Sequence, residues 1–136
     1  MYGPSASASL LQNFNEFKER RSAFLLLFPD KNLQEFQLLC AGGPEATYQD
    51  FVQNLPPTMV CYGIVRVEDC NILVLWAPDG ARVKDKVVLS AYESSLRRLI
   101  PFIDCKHLAT DPLDIEWESI VERSVSYHES LGKARQ

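Results

Sequence analysis

The sequence predicts an α/β domain of the α+β kind, in which a central mixed β-sheet is sandwiched between helices. Three observations carry this expectation. Ile72, Leu73, Val74, Leu75 and Trp76 form a strand-length run with no polar residue, so the strand must be covered on both faces. Only Glu68, Asp69, Cys70 and Asn71 separate that run from the apolar segment before it, and so short a connection can join only antiparallel neighbours. Helical periodicities stand near the start, in the middle and at the end of the chain, enough to clothe both faces of a sheet.

Each element can be justified in order. Residues 1–8 are small and polar and read as a flexible leader. Ser9, with Gln12 three residues on, reads as the N-cap of a first helix carrying Leu10, Leu11, Phe14 and Phe17. Residues 23–28 form a short apolar strand. A turn at 29–32 leads to a second strand over 33–39, which makes a hairpin. Gly42, Gly43 and Pro44 predict a loop over 40–46. Thr47 caps a short helix with Tyr48, Phe51, Val52 and Leu55 on one face, and Pro56-Pro57 ends it. Residues 59–67 and 72–76 are strands. The longest helix spans 82–100, with Val87, Val88, Ala91, Ser95 and Leu99 on one face and Lys86, Glu93 and Arg97 grouped on the opposite one. Pro101 stops it. A last strand falls within 102–109. Asp114 caps a final helix that turns Trp117, Ile120, Val121 and Ser124 inward, and residues 131–136 should fray. The domain body is 9–130.

Composition limits function. A chain of 136 residues, 46% hydrophobic, is one domain able to fill a core without disulfide or metal. Its net charge of −4 argues against nucleic acid, whose phosphates call for excess Lys and Arg. Cys40, Cys61, Cys70 and Cys105 lack the spacing of a zinc site and read as reduced thiols of a cytoplasmic protein. No signal peptide is visible at the start, and no apolar run is long enough to span a bilayer.

Enzyme signatures are missing. There is no glycine-rich phosphate loop and no nucleophile elbow. Cys105 and His107 share one face of a strand but have no acid to orient them. Asp111, Asp114, Glu116 and Glu118 are explained by helix capping. No catalytic residue, cofactor or metal is expected.

The segment 75–100 is more specific. Leu75-Trp76-Ala77-Pro78-Asp79 is followed by Lys84-Asp85-Lys86, and Leu96-Arg97-Arg98 closes the helix. This order resembles the signature of the actin-depolymerising factor/cofilin family. Phe14-Asn15-Glu16-Phe17-Lys18, Tyr48-Gln49-Asp50-Phe51, Leu55-Pro56, Tyr62-Gly63-Ile64 and Ile120-Val121-Glu122-Arg123 are similar to further family motifs, so the likeness covers roughly residues 9 to 126. The resemblance implies the ADF-homology, gelsolin-like fold and a monomeric cytoskeletal protein that binds actin monomers and promotes filament disassembly.

It also implies a site: Ser5 and Ser7 in the leader, Lys84, Lys86, Val87, Tyr92, Ser94 and Arg97 on the long helix, and Asp114 and Glu116 before the last one. Glu93 departs from the family, which usually has a lysine there, and pairing with Arg97 is its plain explanation. The long basic hairpin that makes a filament contact in many members is reduced here to a short acidic turn. Glu68 and Asp69 stand in its place, and only Arg123, Lys133 and Arg135 could substitute. Ser5, Ser7 and Ser9 are candidates for the phosphorylation that often silences the family. Phosphoinositide binding should be weak on an acidic chain. Relatives such as twinfilin domains, or glia maturation factor, which acts on branched filaments, form the alternative reading.

Overall fold

The computed structural model describes residues 4–30, 32 and 34–134. Five strands form one sheet in the order β2-β1-β3-β4-β5, with β1 Phe24–Asp30, β2 Glu35–Gly42, β3 Cys61–Val67, β4 Cys70–Trp76 and β5 Cys105–Ala109. All neighbours are antiparallel except β4 and β5, which run parallel with Val74 opposite His107. The sheet is therefore mixed, as the sequence predicts. Its parallel pair brackets the helical segment α3 Val83–Ala91 and α4 Glu93–Leu99.

Both faces of the sheet are covered. On one, Leu25, Leu27, Tyr62, Ile64, Leu73 and Leu75 pack with Leu10, Phe14 and Phe17 of α1 (Ala8–Lys18) and with Leu89, Leu96 and Ile100 of the α3–α4 segment. On the other, Phe24, Leu26, Val65, Ile72, Val74 and Trp76 meet Phe51 of α2 (Tyr48–Asn54) and Ile120 of α5 (Trp117–Ala134). Alternation along each strand sends successive side chains to opposite layers, which is why β4 needs no polar residue. Gly63 stands where a Cβ would lie 2.7 Å from the Phe51 ring, so the close seat of α2 on β3 requires glycine.

Local chemistry sets the element ends. Thr47 caps α2 with a full capping box: the Asp50 N–H donates to Thr47 Oγ1 at 3.2 Å, and the Thr47 N–H donates to the Asp50 carboxylate at 2.8 Å. β3 and β4 are joined by Glu68 and Asp69 alone, with φ of 51° and 62°. Two successive left-handed residues make the hairpin turn whose twist suits antiparallel strands. Cys70 and Asn71, expected in the reversal, already belong to β4.

Several expectations are corrected. Ser7, not Ser9, caps α1, accepting the Leu10 N–H at 3.1 Å. The leader is not free along its length. The Ser5 N–H donates to the Gln34 carbonyl at 3.0 Å and its carbonyl accepts from the Phe36 N–H at 2.9 Å, a short parallel bridge to the edge strand β2. β2 runs on through Cys40 to Gly42, where a loop was expected. The helix predicted over 82–100 is broken at Tyr92. Asp114 does not cap the last helix. It is the third residue of the 3-10 helix Pro112–Ile115, which Asp111 caps. Trp117 is 45% exposed rather than inward. α5 continues to Ala134, into the stretch expected to fray. Lys31 and Leu33, placed by the sequence in the first turn and second strand, and Arg135 lie outside the described residues.

Candidate functional site

The α3–α4 segment presents a surface that folding alone does not explain. Arg82 occupies the α3 N-cap position and makes no side-chain cap bond. Lys84 and Lys86 follow in the first turns, where the positive end of the helix disfavours cations. Val83 and Val87, one turn apart, are 76% and 62% exposed. Asp85 in the same turn suits the helix start, but the start gains no side-chain cap and Val83 and Val87 add nothing to the core. Together these features set this face apart from the buried stripe of the same segment.

The burial pattern shows why the exposed face differs from the one expected. Leu89, Leu96 and Ile100 are buried. At about 100° per residue they fall on one stripe, and Val87 lies about 160° away from it. Periodicity set Val87 and Val88 on the core face, which the burial corrects, whereas the resemblance had placed Val87 in the proposed site. Val83 was missed altogether, and its spacing from Val87 on the face opposite Leu89 was the available signal.

Of the residues singled out on this segment, Lys84, Val87 and Ser94 are exposed, and Lys86, Tyr92 and Arg97 are half-buried. Tyr92 sits at the break between α3 and α4 and packs against the core. Arg97 Nη1 lies 3.8 Å from Glu93 Oε2, the expected intrahelical pair. Glu93 has a second, closer partner that the sequence did not reveal, Lys106 Nζ of β5 at 3.2 Å. With only 15% of its side chain exposed, Glu93 straps α4 to the sheet edge.

In the leader, Ser5, Ser7 and Ser9 are exposed, but Ser5 is held by the β2 bridge and Ser7 by its capping role. Glu116 is exposed. Asp114 is committed to local structure: its carboxylate accepts from the Thr110 N–H at 3.0 Å and the Asp111 N–H at 3.2 Å. Close to these, Leu113 is 64% exposed, and half-exposed Trp117 meets Tyr48 edge-on at 5.2 Å.

The short turn at Glu68 and Asp69, in the place of the longer hairpin, is held against α5. The Glu68 carbonyl is 3.1 Å from His128 Nε2, and the Val67 carbonyl accepts from Ser124 Oγ at 3.1 Å, both on α5. Arg20 lies 3.9 Å from the Asp69 carboxylate, both side chains largely exposed. Arg123 is exposed, and Lys133 falls within the last turn of α5.

Cys105 and His107 do not form a pair of catalytic geometry. Cys105 Sγ touches Cys70 Sγ at 3.5 Å, and His107 Nε2 lies 2.6 Å from the Asp114 carbonyl. Among the described residues, no group of His, Cys, Asp and Glu is placed to hold a metal, and no helix is long and apolar enough to cross a membrane.

Comparison with known proteins agrees with this architecture. The family described as "Cofilin/tropomyosin-type actin-binding protein" matches over residues 3–124. Actophorin of Acanthamoeba castellanii is 29% identical over 133 residues, covering 91% of this chain and 96% of that protein. Actin-depolymerizing factor 2 of Zea mays is likewise 29% identical over 133 residues, covering 90% and 95%. Among solved structures, the Streptomyces griseoflavus cofilin superposes with a TM-score of 0.80 at 18% identity, covering 89% of this chain and 96% of that one. The glia maturation factor of Caenorhabditis elegans superposes at 0.74 with 13% identity, covering 90% and 96%.

Proposed function

This chain belongs to the cofilin and actin-depolymerising factor family of actin-binding proteins, and from that premise we propose that it binds monomeric actin through the α3–α4 surface and promotes filament disassembly in the cytoplasm. One observation carries the assignment of the surface: exposed Val83 and Val87 beside Lys84 and Lys86 on an uncapped helix start. An apolar ridge flanked by cations suits a partner with an apolar cleft and an acidic rim, and a helix laid in a groove draws burial from the ridge and steering from the lysines. Ser5, Ser7, Tyr92, Ser94, Arg97, Asp114 and Glu116 complete the proposed site. Exposed Glu116 can meet the partner directly, while Asp114 acts by shaping the 3-10 helix.

Stable side-binding to filaments is proposed to be weak. The two-residue Glu68–Asp69 turn carries no cation and is held against α5. Arg123 and the end of α5 are the remaining candidates for a second contact. Phosphoinositides should bind weakly to a chain of net charge −4. The decisive experiment titrates labelled actin monomers with the protein and runs filament pelleting beside it. Saturable monomer binding that is lost in the Lys84→Ala/Lys86→Ala double variant supports the reading. No monomer binding at any concentration would move the chain toward relatives that act on other targets.

A further inference from the structure

We propose that Cys70 and Cys105 form a redox-modification site, in which a hydroperoxide oxidises the two thiols to a disulfide that closes a covalent ring around the α3–α4 segment. The sulfurs are 3.5 Å apart, so bonding needs an approach of only about 1.5 Å. Backbone pairing keeps the two strands side by side but offsets the residues: Cys105 stands opposite Ile72, two residues beyond Cys70, on the parallel partner strand, so closure draws on both side chains and a shift of the backbone where β4 begins. Asp104 reinforces that register. Its N–H donates to the Asn71 carbonyl at 2.8 Å, and its carboxylate accepts from the Asn71 N–H at 2.8 Å. Neither thiol belongs to the surface assigned to actin, and both are free thiols, as are Cys40 and Cys61.

The two thiols are not equivalent. Cys105 is half-buried, whereas Cys70 is fully enclosed. Burial pushes both thiols above the usual range; on Cys105 the hydrogen bond with Cys70 and the charges of Arg123 and Arg97 act in the opposite sense, while Asp104 adds to the rise. Cys105 is therefore the sulfur that meets the oxidant and Cys70 the one that resolves it. In the first step the Cys105 thiolate attacks the peroxide. An S–O bond forms, the O–O bond breaks, and the leaving alkoxide or hydroxide takes up a proton. In the second step Cys70 attacks the sulfenic sulfur. An S–S bond forms, the S–O bond breaks, and water leaves with the Cys70 proton. Two electrons pass from the thiols to the peroxide. Because burial keeps both thiols protonated, the reaction should be slow, suited to sustained rather than brief oxidant exposure.

The test treats the full native chain with hydrogen peroxide, blocks free thiols with N-ethylmaleimide under denaturing conditions, and maps peptides without reduction. The expected product is a Cys70–Cys105 linked peptide pair lighter by two hydrogens, with Cys61 fully alkylated, and a higher urea midpoint for the oxidised protein that reverts on reduction. In Cys70→Ser the sulfenic form of Cys105 should persist and be captured by dimedone. Recovery of both Cys70 and Cys105 as alkylated thiols, under exposure that oxidises half-buried Cys40, would overturn the proposal. So would Cys105 advancing to the sulfinic acid in the wild-type chain while Cys70 stays free.

Discussion

The Tyr62 hydroxyl donates to the Leu89 carbonyl across 2.5 Å, reaching from the centre of the sheet into the helical segment above it. In an unbroken helix that carbonyl would accept from the N–H of Glu93, the residue at which α4 begins. A side chain engaging a carbonyl of the helical ladder is a recognised cause of a kink, and the segment breaks at Tyr92. Burial, with the nearby Glu93 and Tyr92 adding to it, pushes the Tyr62 phenol well above its ordinary range, so it remains a donor at any physiological pH.

Tyr62→Phe should therefore lower stability by about 1–3 kcal/mol, the cost of leaving a buried carbonyl without its partner. Urea denaturation measures the loss. If the break orients α4 for actin, the folded variant should also bind monomers less tightly. Unchanged stability would remove the hydroxyl as the organiser of the break.

Replacing Lys84 and Lys86 together by Ala should weaken monomer binding by about 1–3 kcal/mol. Folding should be unaffected or slightly improved, since both lysines sit at the unfavourable end of a helix. Fluorescence titration and thermal melting read the two effects separately, and unchanged affinity would dismiss this surface as the main contact.

Glu93→Lys restores the charge usual in the family and should tighten actin binding. The strap to Lys106 adds a cost that the sequence did not foretell. The new lysine would face both Arg97 and Lys106, and stability should fall by roughly 1 kcal/mol. Glu93→Gln separates the terms, because it loses the strap without adding repulsion. Weaker binding by a folded Glu93→Lys protein would mean that Glu93 itself meets actin.

The β3–β4 turn yields a prediction about filaments. Losing one of two linked contacts removes avidity worth a factor of about 10² to 10⁴. Clear monomer binding with poor co-sedimentation is expected, with disassembly proceeding at filament ends or by sequestration. Dense decoration of single filaments at low concentration would refute this. The turn's strain is separately testable: Glu68→Asn with Asp69→Gly supplies residues suited to positive φ and should raise stability by about 0.5–1 kcal/mol.

The elements that were legible in the sequence have local causes. Thr47 caps α2 because Asp50 is within reach in the same turn, and the β3–β4 hairpin follows from a connection too short for any alternative. What escaped depends on distant partners. Ser7 displaces Ser9 as the cap of α1 while Ser5 is engaged by residues 34 and 36, which no nearby motif announces. The break at Tyr92 coincides with a bond from the hydroxyl of residue 62, and the Glu93 strap needs an amine from residue 106. The proposed site's cations and Val87 were legible through resemblance and Val83 was not, because hydrophobic residues are assigned to the core by default.

β4 and β5 can pair only after the chain between them has crossed the sheet and returned. The β1–β2 and β3–β4 hairpins need no such excursion, and their antiparallel union completes four of the five strands. Closing the long crossover costs more entropy before any contact repays it, so the edge strand should join late in folding. The helical segment proposed to meet actin lies wholly within that crossover. A chain caught partway would thus hold a nearly finished sheet yet no organised partner surface, and pulse-labelled hydrogen exchange would find protection in β3 before α3. Recognition would then be the last property the fold acquires, withheld until the whole domain is sound.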